Sequence, residues 1–258
     1  MSSIGWNNSI CKETANRIIR DRDTKIRNII DEGKFGIIIV FEITDILREE
    51  MRMNTKRFVM KLTFLSKGGV IRYRSYNQKQ EKASQLIGSY NREIEIQKDI
   101  YNKSSKLGSA ITVEIVYDNV YNGDVFKAWS KRGNRFPQYV RLLRYYSTQL
   151  KSFKNLEVFK GLGAIMMEYA EGYSELSKYL GMGDWKEVLA KQFYIMKSIG
   201  YIHNDIHMGN YMWNKEKSDG LIIDFGETYM DKEVKGMSMI DYMKEYVGEI
   251  GLSNGEIV

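Results

Sequence analysis

Three oxygen-bearing side chains recur at telling intervals: Asp205, Asn210 five residues later, and Asp224 nineteen after Asp205. They lie in Tyr201-Ile202-His203-Asn204-Asp205-Ile206-His207-Met208-Gly209-Asn210 and in Leu221-Ile222-Ile223-Asp224-Phe225-Gly226. Metal-assisted phosphoryl transfer needs a carboxylate to orient an acceptor hydroxyl and take its proton. It also needs hard oxygen donors for Mg2+, which prefers a few such ligands plus phosphate oxygens. On this reading Asp205 is the catalytic carboxylate, and Asn210 and Asp224 hold the metal. His207 lies two residues beyond Asp205 in the same loop, where a neutral imidazole supplies a hydrogen bond rather than a full charge. The same residue types also make ordinary turns, so it is the joint spacing that points to chemistry.

The elements that would position these groups lie upstream. Asp31-Glu32-Gly33-Lys34-Phe35-Gly36-Ile37-Ile38 is a glycine-bearing turn entering an apolar strand, and glycines let backbone N–H groups approach phosphates closely. The segment Arg57-Phe58-Val59-Met60-Lys61-Leu62-Thr63-Phe64 reads as a strand whose interior carries one charge, Lys61. A helix is expected from about Ala83 to Tyr101, its apolar face marked by Leu86, Tyr90, Ile94 and Tyr101. Glu93 falls on that face and Glu95 points away from it. A carboxylate on a buried face needs a cationic partner, and Lys61 is the natural one. Leu162 to Ala170 reads as a buried strand running into a linker. Asp184 and Glu187 form a capping box for a helix whose core stripe is Trp185, Val188, Leu189, Phe193, Met196 and Ile199.

Lys61, Glu93, Asp205, Asn210 and Asp224 occur in a fixed order, and by these residues the chain resembles the protein-kinase-like superfamily over roughly residues 25–230. The resemblance implies an α+β, two-lobed fold. Its N-lobe would be a five-stranded antiparallel sheet with one helix, its C-lobe mainly helical and truncated, with ATP between them. Residues 1–24 would be an N-terminal extension, 25–170 the N-lobe with a basic insertion at 120–160, and 171–258 a minimal C-lobe. The resemblance further implies that Gly33, Gly36 and Ile38 cover the nucleotide. Lys61, paired with Glu93, would bind its α- and β-phosphates. Met167 would guard the back of the adenine pocket, with Glu168 and Ala170 in the linker beside it.

Departures from the family pattern bear on the acceptor and on control. Asp31 stands where the first glycine of the phosphate-covering loop is expected, and Asn204 replaces an arginine that in many regulated kinases receives an activation-loop phosphate. His207 replaces a lysine, and Asp-x-His-x-Gly-Asn is similar to haspin-like kinases and to aminoglycoside and other small-molecule phosphotransferases. The sole proline is Pro137, so no A-P-E motif follows, and 32 residues lie beyond Gly226. That economy is similar to Rio-type kinases and to the small kinase subunit of the KEOPS complex. The expected activity is therefore an atypical, minimal serine/threonine-protein kinase acting on a protein hydroxyl. The alternatives are a small-molecule kinase and a pseudokinase scaffold. Without the arginine, the enzyme is expected to be active as synthesised or controlled by a docked partner.

Composition sets outer bounds. The 258 residues are 43% hydrophobic and 28% charged, ordinary for a globular chain. The single Cys11 excludes an intramolecular disulfide framework and suits a reducing compartment. The longest apolar run, Ile37–Phe41, is far too short for a bilayer, so no membrane partner is expected. The N-terminal residues lack the pattern of a secretory signal, and an intracellular setting is expected, cytoplasmic with nuclear or virion as alternatives. Residues 127–160 carry nine Lys or Arg against Glu157 alone, a charge of +8 in a chain of +6 overall. Arg141, Arg144 and Lys151 share a face there, and Trp129, Tyr139, Tyr145 and Tyr146 are interleaved. The pattern suits an acidic-protein or nucleic-acid partner, or simply a solvated helical face. Lys67–Lys82 reads as a further insertion turning at Gly68-Gly69.

Overall fold

The computed structural model describes residues 24–33, 36–50, 55–66, 69–70, 89–121, 159–179 and 185–246. The basic residues from Lys127 to Lys154, the N-terminal extension to residue 23, most of the 67–82 insertion and Asp184 lie outside the described residues. The chain is α+β, built on antiparallel sheets, and its described parts fall into two compact units. One comprises the described residues of Met1–Tyr90 and Ile115–Tyr169, the other those of Asn91–Glu114 and Ala170–Val258.

The first unit is a six-stranded sheet of β1 (Lys25–Gly33), β2 (Gly36–Glu42), β3 (Arg57–Ser66), β4 (Gly69–Val70), β5 (Ile115–Tyr121) and β6 (Phe159–Glu168). Its order is β1-β2-β3-β6-β5, with β4 turned back on β3. β4 is one strand more than the expected five, because Gly69–Val70 pair with Ser66 and Leu65 instead of running on as loop. The β-branched run of β2 suits a strand, and Ile39, Val40 and Phe41 are all buried. β3 is central, so successive residues on both of its faces, Phe58, Met60, Lys61, Leu62 and Thr63, are buried apart from the half-buried Val59. A short helix α1 (Asp45–Glu50) follows β2, capped by Thr44, whose Oγ1 accepts from Leu47 N at 3.2 Å.

The second unit takes in helix α2 (Ser89–Lys106) from Asn91 onward, α3 (Trp185–Ser198) and α4 (Met239–Tyr246). It also contains β7 (Ser174–Glu175), β8 (Tyr201–Ile202), β9 (Tyr211–Asn214), β10 (Asp219–Ile222) and β11 (Tyr229–Met230). These form a β10-β9-β7 sheet and a β11-β8 pair. The expected division at residue 170 differs from this one, since Asn91–Glu114 groups with the second unit. Ile96, Ile100 and Ile111 enter the same core as Leu189, Phe193, Met196, Trp213 and Phe225. The expected stripe on α3 is buried, with Val188 packed at its margin. No helix among the described residues is long and apolar enough to cross a membrane.

Candidate active site

The loop after β8 is held by its own polar groups. His207 caps the short 3-10 turn Met208–Asn210, its Nδ1 accepting from Gly209 N at 3.0 Å, while Asn210 N donates to His207 O at 2.9 Å. Asn210 Nδ2 donates to Asp205 O at 2.8 Å and reaches Asp205 Oδ2 at 3.3 Å. One amide thus fixes both the backbone and the carboxylate of Asp205. With Nδ1 of His207 used as acceptor, the neutral ring carries its proton on Nε2, which stands 4.0 Å from Asp205 Oδ2, beyond hydrogen-bond reach. His207 is exposed and Asp205 partly so, whereas Asn210 is buried. Asn204 has φ 56°, a left-handed conformation that asparagine adopts more readily than most residues.

The second loop is brought alongside by the β9–β10 hairpin, in which Tyr211 pairs with Ile222. Ile223 N donates to Asn210 O at 3.0 Å, and His203 Nε2 donates to Ile223 O at 2.9 Å. Asp224 follows with φ 63° and ψ 73°, left-handed backbone of the kind that concentrates at functional sites. Phe225, fully buried, packs edge-on to the His203 ring at 5.3 Å and anchors the turn Phe225–Glu227 in the core. Burial lowers the pKa of His203, so the ring is a neutral strut, with Nδ1 unpaired among the described residues. Thr228 Oγ1 closes the arrangement by donating to His203 O at 3.2 Å. Sequence reasoning overlooked His203. Its signal was a histidine two residues ahead of Asp205.

The donor set fits Mg2+. The Asn210 amide nitrogen is committed to Asp205, and its Oδ1 accepts no hydrogen bond among the described residues. The Asp224 carboxylate is the second hard oxygen group. Among the described residues no group of three or more His, Cys, Asp or Glu could hold a metal, and a Mg2+ held by Asn210 and Asp224 would need phosphate and water oxygens to complete its shell.

Glu93 is buried in the second unit on α2, and its Oε2 lies 3.8 Å from where a Gly226 Cβ would stand. Its carboxylate therefore faces the Asp224–Gly226 turn, while Glu95 is exposed as expected. The α2 helix runs on to Lys106, beyond the expected Tyr101, and residues 83–88 fall outside the described residues.

In the first unit Lys61 is buried on β3, directly opposite Ile38 of β2 and Ile165 of β6. The expected phosphate-covering loop is mostly strand: Gly33 pairs with Gly36, so Asp31–Gly33 and Gly36–Ile38 belong to β1 and β2. A bulge between Ile30 and Gly33 absorbs one residue of β1. Met167 lies opposite Val59, and Glu168 opposite Phe58, both half-buried. Tyr169 N donates to Arg57 O at 3.2 Å, continuing the ladder past β6. In the second unit, Ala170 O accepts from Tyr173 N at 3.2 Å, and Ala170 N–H donates to no acceptor among the described residues. Gly163, also on β6, has no room for a side chain: a Cβ would sit 2.5 Å from the Tyr90 ring, whose hydroxyl donates to Asn119 O and Ala164 O. That contact, too, is invisible in sequence spacing.

No protein-family model matches the chain, and no curated protein matches it in sequence.

Proposed function

We propose that this protein is an ATP- and Mg2+-dependent phosphotransferase of kinase-like fold, with a protein Ser/Thr hydroxyl as its acceptor. The observation that carries this reading is the tie between the two loops. Asn210 donates through its side chain to Asp205 and accepts through its carbonyl from Ile223 N, the residue before Asp224, which supports a shared site for the three oxygen-bearing side chains. The strand order β1-β2-β3-β6-β5, with a long helix preceding β5, supports the same reading.

Each residue then has a definite task. The Asp205 carboxylate orients the acceptor hydroxyl and receives its proton as the new oxygen–phosphorus bond forms and the bond from the γ-phosphorus to the bridging oxygen breaks, ADP leaving. Lys61 supplies positive charge to the α- and β-phosphates, and the Ala170 N–H is a donor suited to an adenine ring nitrogen. Asn210 and Asp224 would hold the metal. Mg2+, when bound, neutralises phosphate charge. His207 presents Nε2–H as a further donor to the transferred phosphate. Catalysis on this account is positioning and charge neutralisation, with no covalent intermediate on the protein.

Asp205→Ala tests the assignment. Transfer from ATP should fall about 10²- to 10⁴-fold, the usual share of general base catalysis, with ATP affinity largely intact. Retained turnover would refute it. A small-molecule acceptor is the second reading, favoured by His207 and by the lack of any proline after Pro137. Radiolabelled ATP offered to generic proteins and to a panel of small alcohols separates the two.

A further inference from the structure

Outside the catalytic cluster, one polar network joins α2 to the strand that leads into the catalytic loop. The Tyr201 hydroxyl donates to Asp99 Oδ2 at 2.6 Å, and Lys103 Nζ lies 2.6 Å from the same oxygen. The Lys103 ammonium also stands 5.5 Å from the Tyr201 ring centroid, within cation–π range. Tyr201 is itself immobilised. The residue is buried, it pairs with Met230 across the β8–β11 ladder, and its carbonyl accepts from Tyr242 OH at 3.3 Å. It stands two residues before His203 and four before Asp205.

Asp99 lies six residues beyond Glu93 on the same helix, about 9 Å along its axis. Between them Ile96 is sunk in the core, and Gln97 Nε2 donates to Val113 O at 3.0 Å. A rigid helix passes any slide or rotation at Asp99 directly to Glu93, whose carboxylate faces the Asp224–Gly226 turn. In phosphotransferases of this kind the helix carrying the glutamate must be correctly set for activity, and a phosphorylated loop often sets it. Here the second unit contains a built-in substitute that needs no added phosphate.

Resting on the function proposed above, we infer that Tyr201 is a positioning residue: its hydroxyl, received by Asp99, holds α2 in the register that keeps Glu93 over the Asp224–Gly226 turn. Lys103 compensates the charge of Asp99, so the acceptor is retained as a carboxylate. The hydroxyl is the part that matters for this role, because the ring would remain packed without it.

Tyr201→Phe removes that hydroxyl and little else. Amide hydrogen exchange across residues 93–99 should speed up, while amides of α3 stay protected. Turnover with ATP should fall about tenfold with KM for ATP nearly unchanged, as expected for losing one charge-assisted hydrogen bond that acts on positioning rather than binding. In the wild-type background Asp99→Asn, which keeps an oxygen acceptor for Tyr201, should retain most of the turnover, and Asp99→Leu should not. Unchanged exchange at 93–99 in Tyr201→Phe would overturn the inference, as would a loss confined to KM. Should the wild-type protein transfer no phosphate to any acceptor, the functional reading fails. The exchange measurement still decides whether Tyr201 holds α2.

Discussion

His203 does its work by being uncharged. Its Nε2–H supports Ile223 O, its ring packs on Phe225, and burial holds its pKa below the ordinary imidazole value. The nearby carboxylates of Asp224 and Asp205 pull the other way without prevailing. In the unfolded chain the same ring takes up a proton near pH 6.5. Below that pH the unfolded state therefore binds more protons than the folded one, and stability declines as pH falls toward the depressed folded value. The urea midpoint should be lower at pH 5.5 than at pH 7.5, and His203→Gln should flatten that difference. An equal slope in both proteins would assign the pH dependence elsewhere. Asp99 adds a separate acid-side loss: burial raises its pKa, but hydrogen bonds from Lys103 and Tyr201 outweigh this and lower it. Its contribution is present above about pH 4 and disappears as pH falls through the folded value.

The β8–β11 pair and the buried Thr228 argue against a phosphate switch at Thr228, after the Asp-Phe-Gly turn. Thr228 is 2% exposed, its Oγ1 committed to His203 O and its N–H to Phe225 O. Tyr229 pairs with Ile202 in the ladder. A phosphate on Thr228 would break the first bond and force charge into the core. Nor could Asn204 offer the guanidinium that receives such a phosphate. Phosphatase treatment of the purified protein should leave its rate unchanged. A large loss of rate, mapped to Thr228 or Tyr229, would contradict this.

For the molecule as a whole, binding should register as stability. A ligand that binds only the folded state adds RT ln(1 + [L]/Kd), about 2.7 kcal/mol at a hundredfold excess over Kd. ATP with Mg2+ should raise the melting temperature more than ATP alone, and Asp224→Asn or Asn210→Ala should remove the Mg2+-dependent part. The absence of any shift with either would favour a scaffold over an enzyme.

The spacing of Asp205, Asn210 and Asp224 follows from sequence because each interval lies within a short local structure. A capped 3-10 turn separates Asp205 from Asn210, and a four-residue hairpin turn between short strands separates Asn210 from Asp224. Helix faces were legible for a similar reason, since Glu93, Glu95 and the α3 stripe follow from helical periodicity alone. The amide of Asn210 turned onto Asp205, the buried His203 beneath both loops and the clasp of Tyr201 on Asp99 were not. Each joins residues distant in sequence or depends on a side-chain orientation that spacing does not encode. Nor does a local pattern show that β6 inserts between β3 and β5, or that Asn91–Glu114 shares its core with α3. Such pairings are decided by which apolar surfaces can be buried together, which only the folded chain determines.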